Sequence, residues 1–264
     1  HGRGTTRRRG VSARTVLTAP PLVPPMTRTA VVAGVGPGLG AAVARRFVAE
    51  GCRVALLART EPYLDSLAAE LDAEGAALAV PTDLTDADEV AAAFETVREA
   101  FGPTDALVYN ASGTPWKGLS DIGVDEFDDA LATGPRGALL CAKEAAADMC
   151  GNGADDEAGT VVFTGATTSV RGKEGALGFS AAKFAIRGMA QSLARELGPE
   201  GVHVAHVVLD GSIRPPDVAP GDPSTHLDPD DIAAQYWELV TADLATMPFE
   251  IHLTNGPGGA VEFV

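Results

Sequence analysis

The chain has 264 residues, 45% of them hydrophobic, with 30 glycines and a formal charge of −16. That length suits one α/β domain with a continuous core, and the composition excludes a disordered or collagen-like chain. The acidic balance argues against nucleic acid as a partner, because phosphates would meet a field of their own sign, and no apolar run approaches the roughly 20 residues of a membrane helix.

Residues 1–25 differ in composition from the rest of the chain. They carry Arg3, Arg7, Arg8, Arg9 and Arg14 without an acid, then the proline-rich run Ala19–Pro25 ahead of Met26. Residues 26–264 therefore hold −21 against the −16 of the whole. Val16–Val23 is interrupted by Thr18 and two prolines, too broken for the apolar core of a signal peptide. We read 1–25 as a disordered basic extension or, alternatively, as an arm docking on the acidic body of a neighbouring subunit. Residues 26–264 read as a single domain.

From Thr29 onward, strand-length apolar runs alternate with helical patterns. Strands are predicted at Thr29–Gly34, Arg53–Ala58, Ala77–Pro81, Ala106–Asn110, Thr160–Thr164, Val202–Leu209 and Glu250–Leu253. Helices fall between them near 38–50, 61–74, 86–101, 124–150 (broken around Gly134-Pro135), 175–198 and 229–241. Strands apolar throughout and separated by helices form a parallel sheet covered on both faces. Right-handed crossovers then give a doubly wound α/β (Rossmann) fold with strand order 3-2-1-4-5-6-7. Punctuation agrees: Asp86 and Asp228-Pro229 start helices, and Gly198-Pro199 ends one. The segment Asp210–Pro229 holds five prolines and little periodicity. It reads as a substrate lid or as an ordinary surface connection.

Cys52, Cys141 and Cys150 are an odd set without a CxxC pair, which fits a reduced, cytoplasmic setting with neither disulfide framework nor zinc site. Only four lysines stand against sixteen arginines. A carboxylate-rich, lysine-poor surface suits a protein working in concentrated salt, where screening relieves self-repulsion; a merely acidic cytosolic enzyme is the alternative.

The strongest chemical motif is Gly34-Val35-Gly36-Pro37-Gly38-Leu39-Gly40, between the first strand and its helix. Gly34 allows the tight turn, Gly38 lets backbone amides approach a pyrophosphate, and Gly40 lets helix and strand pack closely. With a second strand about 20 residues on, the pattern predicts dinucleotide binding. That second strand ends Ala58-Arg59-Thr60 without an acid for ribose hydroxyls. Arg59 instead suits a 2′-phosphate, predicting NADP over NAD, unless it is simply a solvated surface residue.

In order and spacing, these motifs resemble the short-chain dehydrogenase/reductase family over residues 28–264. The Gly34/Gly38/Gly40 turn matches its fingerprint, and Asp83-Leu84 resembles its adenine-contacting element. Asn110-Ala111-Ser112-Gly113 is similar to its Asn-Asn-Ala-Gly, Phe179-Ser180-Ala181-Ala182-Lys183 lies in register with its Tyr-x-x-x-Lys, and Asp210-Gly211-Ser212-Ile213 sits where Pro-Gly-x-Ile/Val faces the nicotinamide. The resemblance implies cofactor contacts from Gly34, Gly36, Pro37, Gly38, Leu39, Arg59, Thr60, Asp83, Leu84, Asn110, Ala111, Ser112, Lys183, Gly211 and Ile213. It also implies a homodimer or homotetramer built by pairing the helices 136–150 and 175–198.

Departures fall on the chemistry. Phe179 stands for the proton-donating tyrosine, Ala166 for the serine thirteen residues earlier, and Gly134 for the helix asparagine, leaving Lys183 of the usual four. A phenyl ring has no hydroxyl to give a proton. Lys183 is then expected to hold the nicotinamide ribose or, failing that, to lie exposed on its helix. Substitutes for the acid are Asp210, if burial near the nicotinamide raises its pKa, with Thr167 and Thr168 tending the substrate; Thr164, Ser169 and Ser180 are nearby hydroxyls. Asp210 could equally cap local amides at a loop start. Tyr109 reads as core, and His203 and His206, three apart on one strand, point to opposite faces rather than forming a metal pair. Two functions emerge: an NADP-dependent oxidoreductase acting on a small carbonyl, imine or alkene by a non-standard proton path, or a non-enzymatic NADP binder serving as sensor or partner subunit.

Overall fold

The computed structural model describes residues 1–2, 28–71, 75–113, 115–151, 159–222 and 225–255. Seven strands run β1 (Thr29–Ala33), β2 (Arg53–Ala58), β3 (Ala77–Pro81), β4 (Ala106–Tyr109), β5 (Thr160–Thr164), β6 (His203–Asp210) and β7 (Glu250–Thr254). The helices are α1 (Leu39–Ala49), α2 (Glu61–Leu71), α3 (Ala87–Phe101), α4 (Val124–Leu131), α5 (Gly137–Gly151), α6 (Leu177–Leu197) and α7 (Pro229–Val240). All seven strands pair in parallel, in the order β3-β2-β1-β4-β5-β6-β7. The doubly wound prediction holds. The reading of residues 1–25 lies outside the described residues, apart from the first two.

Alternation along each strand builds two cores. Ala30, Val32, Val54, Leu56, Val108, Val162, Ala205 and Val207 face α1, α2 and α7, where Phe47 meets Trp237 edge-on at 5.5 Å. Val31, Ala33, Leu57, Leu107, Val161, Phe163 and Val204 face α3, α5 and α6. Burying each large side chain in such layers contributes about 1.5–3 kcal/mol. Cys52 and Cys141 are buried members of these cores, whereas Cys150 is exposed. No helix among the described residues is long and apolar enough to cross a membrane.

Two expectations need adjustment. The segment 124–150 is not broken at Gly134-Pro135: a π turn at Ala132–Arg136 carries the chain from α4 into α5. Such a turn absorbs the proline's missing amide without ending the helix, and the buried Tyr109 hydroxyl donates to the Thr133 carbonyl there. Strand β6 runs one residue further than predicted, because Asp210 still pairs with Thr254 of β7. The segment Asp210–Pro229 is pinned at its base by an Ile213–Leu227 bridge and by both oxygens of Asp228 accepting from Arg214 at 2.8 Å. Its residues 223–224 lie outside the described residues.

Candidate active site

At the carboxyl ends of the strands lies a cleft of about 940 Å³, where ligands bind in doubly wound sheets. Every predicted cofactor contact except Pro37 lines it, as do Thr164, Thr167, Thr168 and Asp210. Pro37 is exposed and does not line the cleft. The proline fixes the turn's path but offers no amide.

Backbone packing makes the nucleotide side. Gly34 has φ 95°, and a β-carbon on it would stand 2.3 Å from the Ala111 amide nitrogen. Its amide and that of Val35 donate to the Leu57 carbonyl at 2.8 and 3.1 Å, while the Asn110 side-chain amide donates to the Gly34 carbonyl at 3.0 Å. A β-carbon on Gly40 would meet that same carbonyl at 2.8 Å. Strands β1, β2 and β4 thus hold the turn in one shape. Gly36 and Gly38, by contrast, would meet nothing within 4 Å. Helix α1 begins at Leu39 with no side-chain cap on its amides and no acid in its first turn. Uncapped amides and the positive end of the helix dipole face the cleft, an arrangement that fits a diphosphate.

Further along this side, Arg59 and Thr60 follow β2. Asp83 accepts from the Thr85 amide and hydroxyl at 2.9 and 2.8 Å. These two bonds, with a smaller contribution from Arg59, hold its carboxyl below the usual range. Leu84, Ala111 and Ser112 complete the wall.

The catalytic side is made of side chains. Lys183 lies 3% exposed, and its ammonium donates to the Thr164 carbonyl at 2.7 Å. Burial lowers its pKa to about 8. The alternative of a lysine exposed on α6 is therefore excluded. Its ammonium is 5.6 Å from the centre of the Phe179 ring. Ala166 cannot supply a hydroxyl, and Gly134 is closed to any side chain, since a β-carbon there would stand 2.8 Å from that of Ala182.

Among the candidate hydroxyls, geometry separates one from the rest. Thr164 pairs with the buried Tyr236 hydroxyl at 2.9 Å. Ser169 accepts from the Ala166 amide at 3.0 Å, and Ser180 from the Lys173 amide at 3.3 Å. Thr168 is buried with its hydroxyl unpartnered. Thr167 alone donates to a carboxylate, Asp210, at 2.5 Å. Asp210 thus bonds across the cleft mouth from the end of β6 rather than capping amides of its own loop.

Beneath the site, the His206 Nδ1–H donates to the Glu250 carboxylate at 2.9 Å, while Arg187 grips both Glu250 oxygens at 2.7 and 2.9 Å. Burial lowers the His206 pKa to about 4, so the ring stays neutral near pH 7. Burial alone would raise Glu250, but bonds from Arg187, His206 and His252 bring it down to about 2. His206 is only half satisfied, because Nε2 has no partner. That ring accounts for Gly165, whose β-carbon would fall 2.4 Å from Nε2. His203 turns to the other face and meets the Leu239 and Pro248 carbonyls.

Sequence reasoning missed Trp116, Arg171 and Lys173, which line the same cleft. Trp116 sits in the loop after β4 and faces Phe179 with ring centroids 5.5 Å apart. The available signal was an aromatic beside a strand's carboxyl end, where loops carry function.

Comparisons with known proteins agree with this fold. An uncharacterized oxidoreductase of Mycobacterium bovis is 35% identical over 187 residues, covering 71% of this chain and 74% of that protein. A short-chain dehydrogenase of Rhodopseudomonas palustris superposes with a TM-score of 0.74 at 30% identity, covering 86% of this chain and 97% of its own. A metagenomic short-chain oxidoreductase solved with NADP gives 0.75 at 27%, covering 86% and 97%. Residues 28–215 match the short chain dehydrogenase family, and the chain belongs to it.

Proposed function

We propose that the chain is an NADP-dependent oxidoreductase that reduces a small carbonyl, imine or activated alkene, with Thr167 and Asp210 as its proton path. NADP(H), when bound, supplies the hydride. The α1 amides from Gly38 onward would hold the diphosphate, Arg59 and Thr60 the 2′-phosphate, Asp83 and Leu84 the adenine, and Lys183 the ribose. NADP is favoured over NAD by Arg59 in a position with no acid, and a structural relative was solved with NADP.

The observation that carries the reading is the 2.5 Å bond from Thr167 to Asp210 beside the buried Lys183. In the reducing direction the heteroatom that gains an electron pair takes the Thr167 hydroxyl proton. Thr167 regains a proton from solvent through the Asp210 carboxyl, the reverse of the Thr167-to-Asp210 donation seen at rest. General acid catalysis of this kind contributes about 10²–10⁴ in rate. An oligomer, homodimer or homotetramer, is supported by exposed Leu139 on α5 and by Leu177 and Phe184 on α6, apolar side chains that a helix-paired interface would cover.

The test is NADPH oxidation across aldehydes, ketones, imines and enones. Asp210→Asn should lower kcat about 10²-fold or more while NADPH affinity stays within about twofold, and Thr167→Val should follow it. An Asp210→Asn enzyme with unaltered kcat ends the proton-path assignment. Tight NADPH binding with no substrate turned over leaves the binder reading standing instead.

A further inference from the structure

Above the proton path, four side chains stack across the cleft wall in one order. The Lys173 ammonium lies 4.8 Å from the centre of the Trp116 ring, Trp116 faces Phe179 at 5.5 Å and 33°, and the Lys183 ammonium lies 5.6 Å from the Phe179 ring. Trp116 is 59% exposed. A large ring left open at the mouth of a cleft is a surface for a ligand's flat face rather than a core contact. Among the described residues Lys173 makes no ion pair, in a chain with 36 acids and 20 lysines and arginines. Lys117, beside Trp116 in the loop after β4, is by contrast held by Glu126 at 2.6 Å. Arg171 lines the same wall. An ammonium without an ion-pair partner beside an aromatic ring more than half exposed is a receptor for a carboxylate attached to a planar group.

We infer that the substrate is a planar aromatic or conjugated compound carrying an anionic group at the end remote from the reacting carbon. The planar part lies on Trp116 and Phe179, the anion meets Lys173, and the reacting carbon faces Thr167. This assignment gives Phe179 a role of its own: the ring that cannot donate a proton forms part of the floor for the substrate. Trp116 and Lys173 are then specificity-determining residues. The inference rests on the proposed reductase reading for the position of the reacting carbon, but the binding it predicts can be measured without turnover.

The experiment uses the full chain with NADPH bound and three unreactive probes: 4-methylbenzoate, 4-methylbenzamide and cyclohexanecarboxylate. Binding is read by quenching of tryptophan fluorescence in a Trp237→Phe background, which leaves Trp116 as the reporter, and by calorimetry. The benzoate should quench saturably, with the neutral amide and the non-planar anion each about tenfold weaker, the factor that about 1.4 kcal/mol of lost charge or stacking contact represents. Lys173→Gln should weaken the benzoate to the level of the amide and leave the amide unchanged. Trp116→Ala, followed by calorimetry, should weaken both aromatic probes and bring the benzoate to the level of the cyclohexane acid. Equal affinity for benzoate and amide, an unaltered benzoate affinity in Lys173→Gln, or no saturable quenching overturns the inference. The two readings fail separately. Reduction of 4-formylbenzamide as fast as 4-formylbenzoate sinks the substrate class and leaves the reductase intact; selective probe binding without reduction of either aldehyde does the reverse.

Discussion

The two sides of the cleft are made of different material. On the nucleotide side the close approaches are to backbone: Gly34 against Ala111, Gly40 against the Gly34 carbonyl, and the Asn110 side-chain amide bonded to that carbonyl. On the substrate side the contacts are made by side chains: Thr167 on Asp210, Trp116 on Phe179, and Lys183 on the Thr164 backbone carbonyl. A site built from backbone admits very few residue types, because a β-carbon either fits or collides. A site built from side chains can exchange an acid or a ring on the same scaffold without disturbing the strands below. The three lost catalytic positions, at Gly134, Ala166 and Phe179, lie on the substrate side.

The sharpest way to break this contrast is with paired glycine substitutions. Gly34→Val should cost more than about 3 kcal/mol, since it combines a positive φ with a collision against backbone that cannot move aside. Little folded protein should be recovered. Gly38→Ala should melt within about 2 °C of wild type, because its β-carbon meets no protein atom. Its NADPH affinity should nevertheless fall about tenfold, since that carbon would stand among the amides that receive the diphosphate. Unchanged affinity in Gly38→Ala, measured by fluorescence titration, would show that the diphosphate lies elsewhere.

Next in size is the charge beneath the substrate. The Lys183 pKa is about 8 in the fold and near 10.5 when free, both set by whether the ammonium is in water. Between those values the unfolded chain binds more protons than the folded one, so stability of the cofactor-free protein should rise as pH increases through that window. Melting temperature should climb from pH 8 to 10 in wild type, relative to Lys183→Met, which has nothing to titrate there. NADPH affinity in Lys183→Met should drop about tenfold or more, with the loss of a charge-assisted bond to the ribose. A parallel pH profile for the two proteins would mean that the ammonium is not held in the desolvated place described here.

These two sides were also unequally legible. The seven strands and the glycine turn follow from apolar runs and from residues whose steric need is local, and the predicted bounds of Arg53–Ala58, Ala77–Pro81 and Thr160–Thr164 match the strands observed. Pro37 is grouped with the contacts because a motif assigns them to a whole turn, whereas Pro37 does not line the cleft. Gly134-Pro135 read as a break because sequence cannot show the Tyr109 hydroxyl holding the Thr133 carbonyl from another element. On the substrate side, several hydroxyls near Ala166 were equivalent on paper. What selects Thr167 is a carboxylate 43 positions away, brought back by β6 lying beside β5. Trp116 meets Phe179 only because the loop after β4 crosses the start of α6, bonded through the Leu177 amide to the Lys117 carbonyl at 3.0 Å. Contacts of that kind depend on register between distant segments, which no local pattern encodes.

The smallest expected effect tests the substrate side most directly. Phe179→Tyr restores the family's hydroxyl on a ring whose centre lies 5.6 Å from the Lys183 ammonium. The hydroxyl alone does not rebuild the usual site: Ala166 gives it no hydrogen-bonding neighbour, the Gly134 position is shut by Ala182, and Trp116 already lies against the ring. If Thr167 and Asp210 carry the proton, kcat in Phe179→Tyr should change less than about threefold, and Asp210→Asn should remain as damaging in the tyrosine background as in wild type. Additive losses in that double variant mean the new hydroxyl is a bystander. A tyrosine variant that gains more than about tenfold and no longer needs Asp210 would mean that the proton had no dedicated path before, and that this side of the cleft is the family's own site with its acid removed.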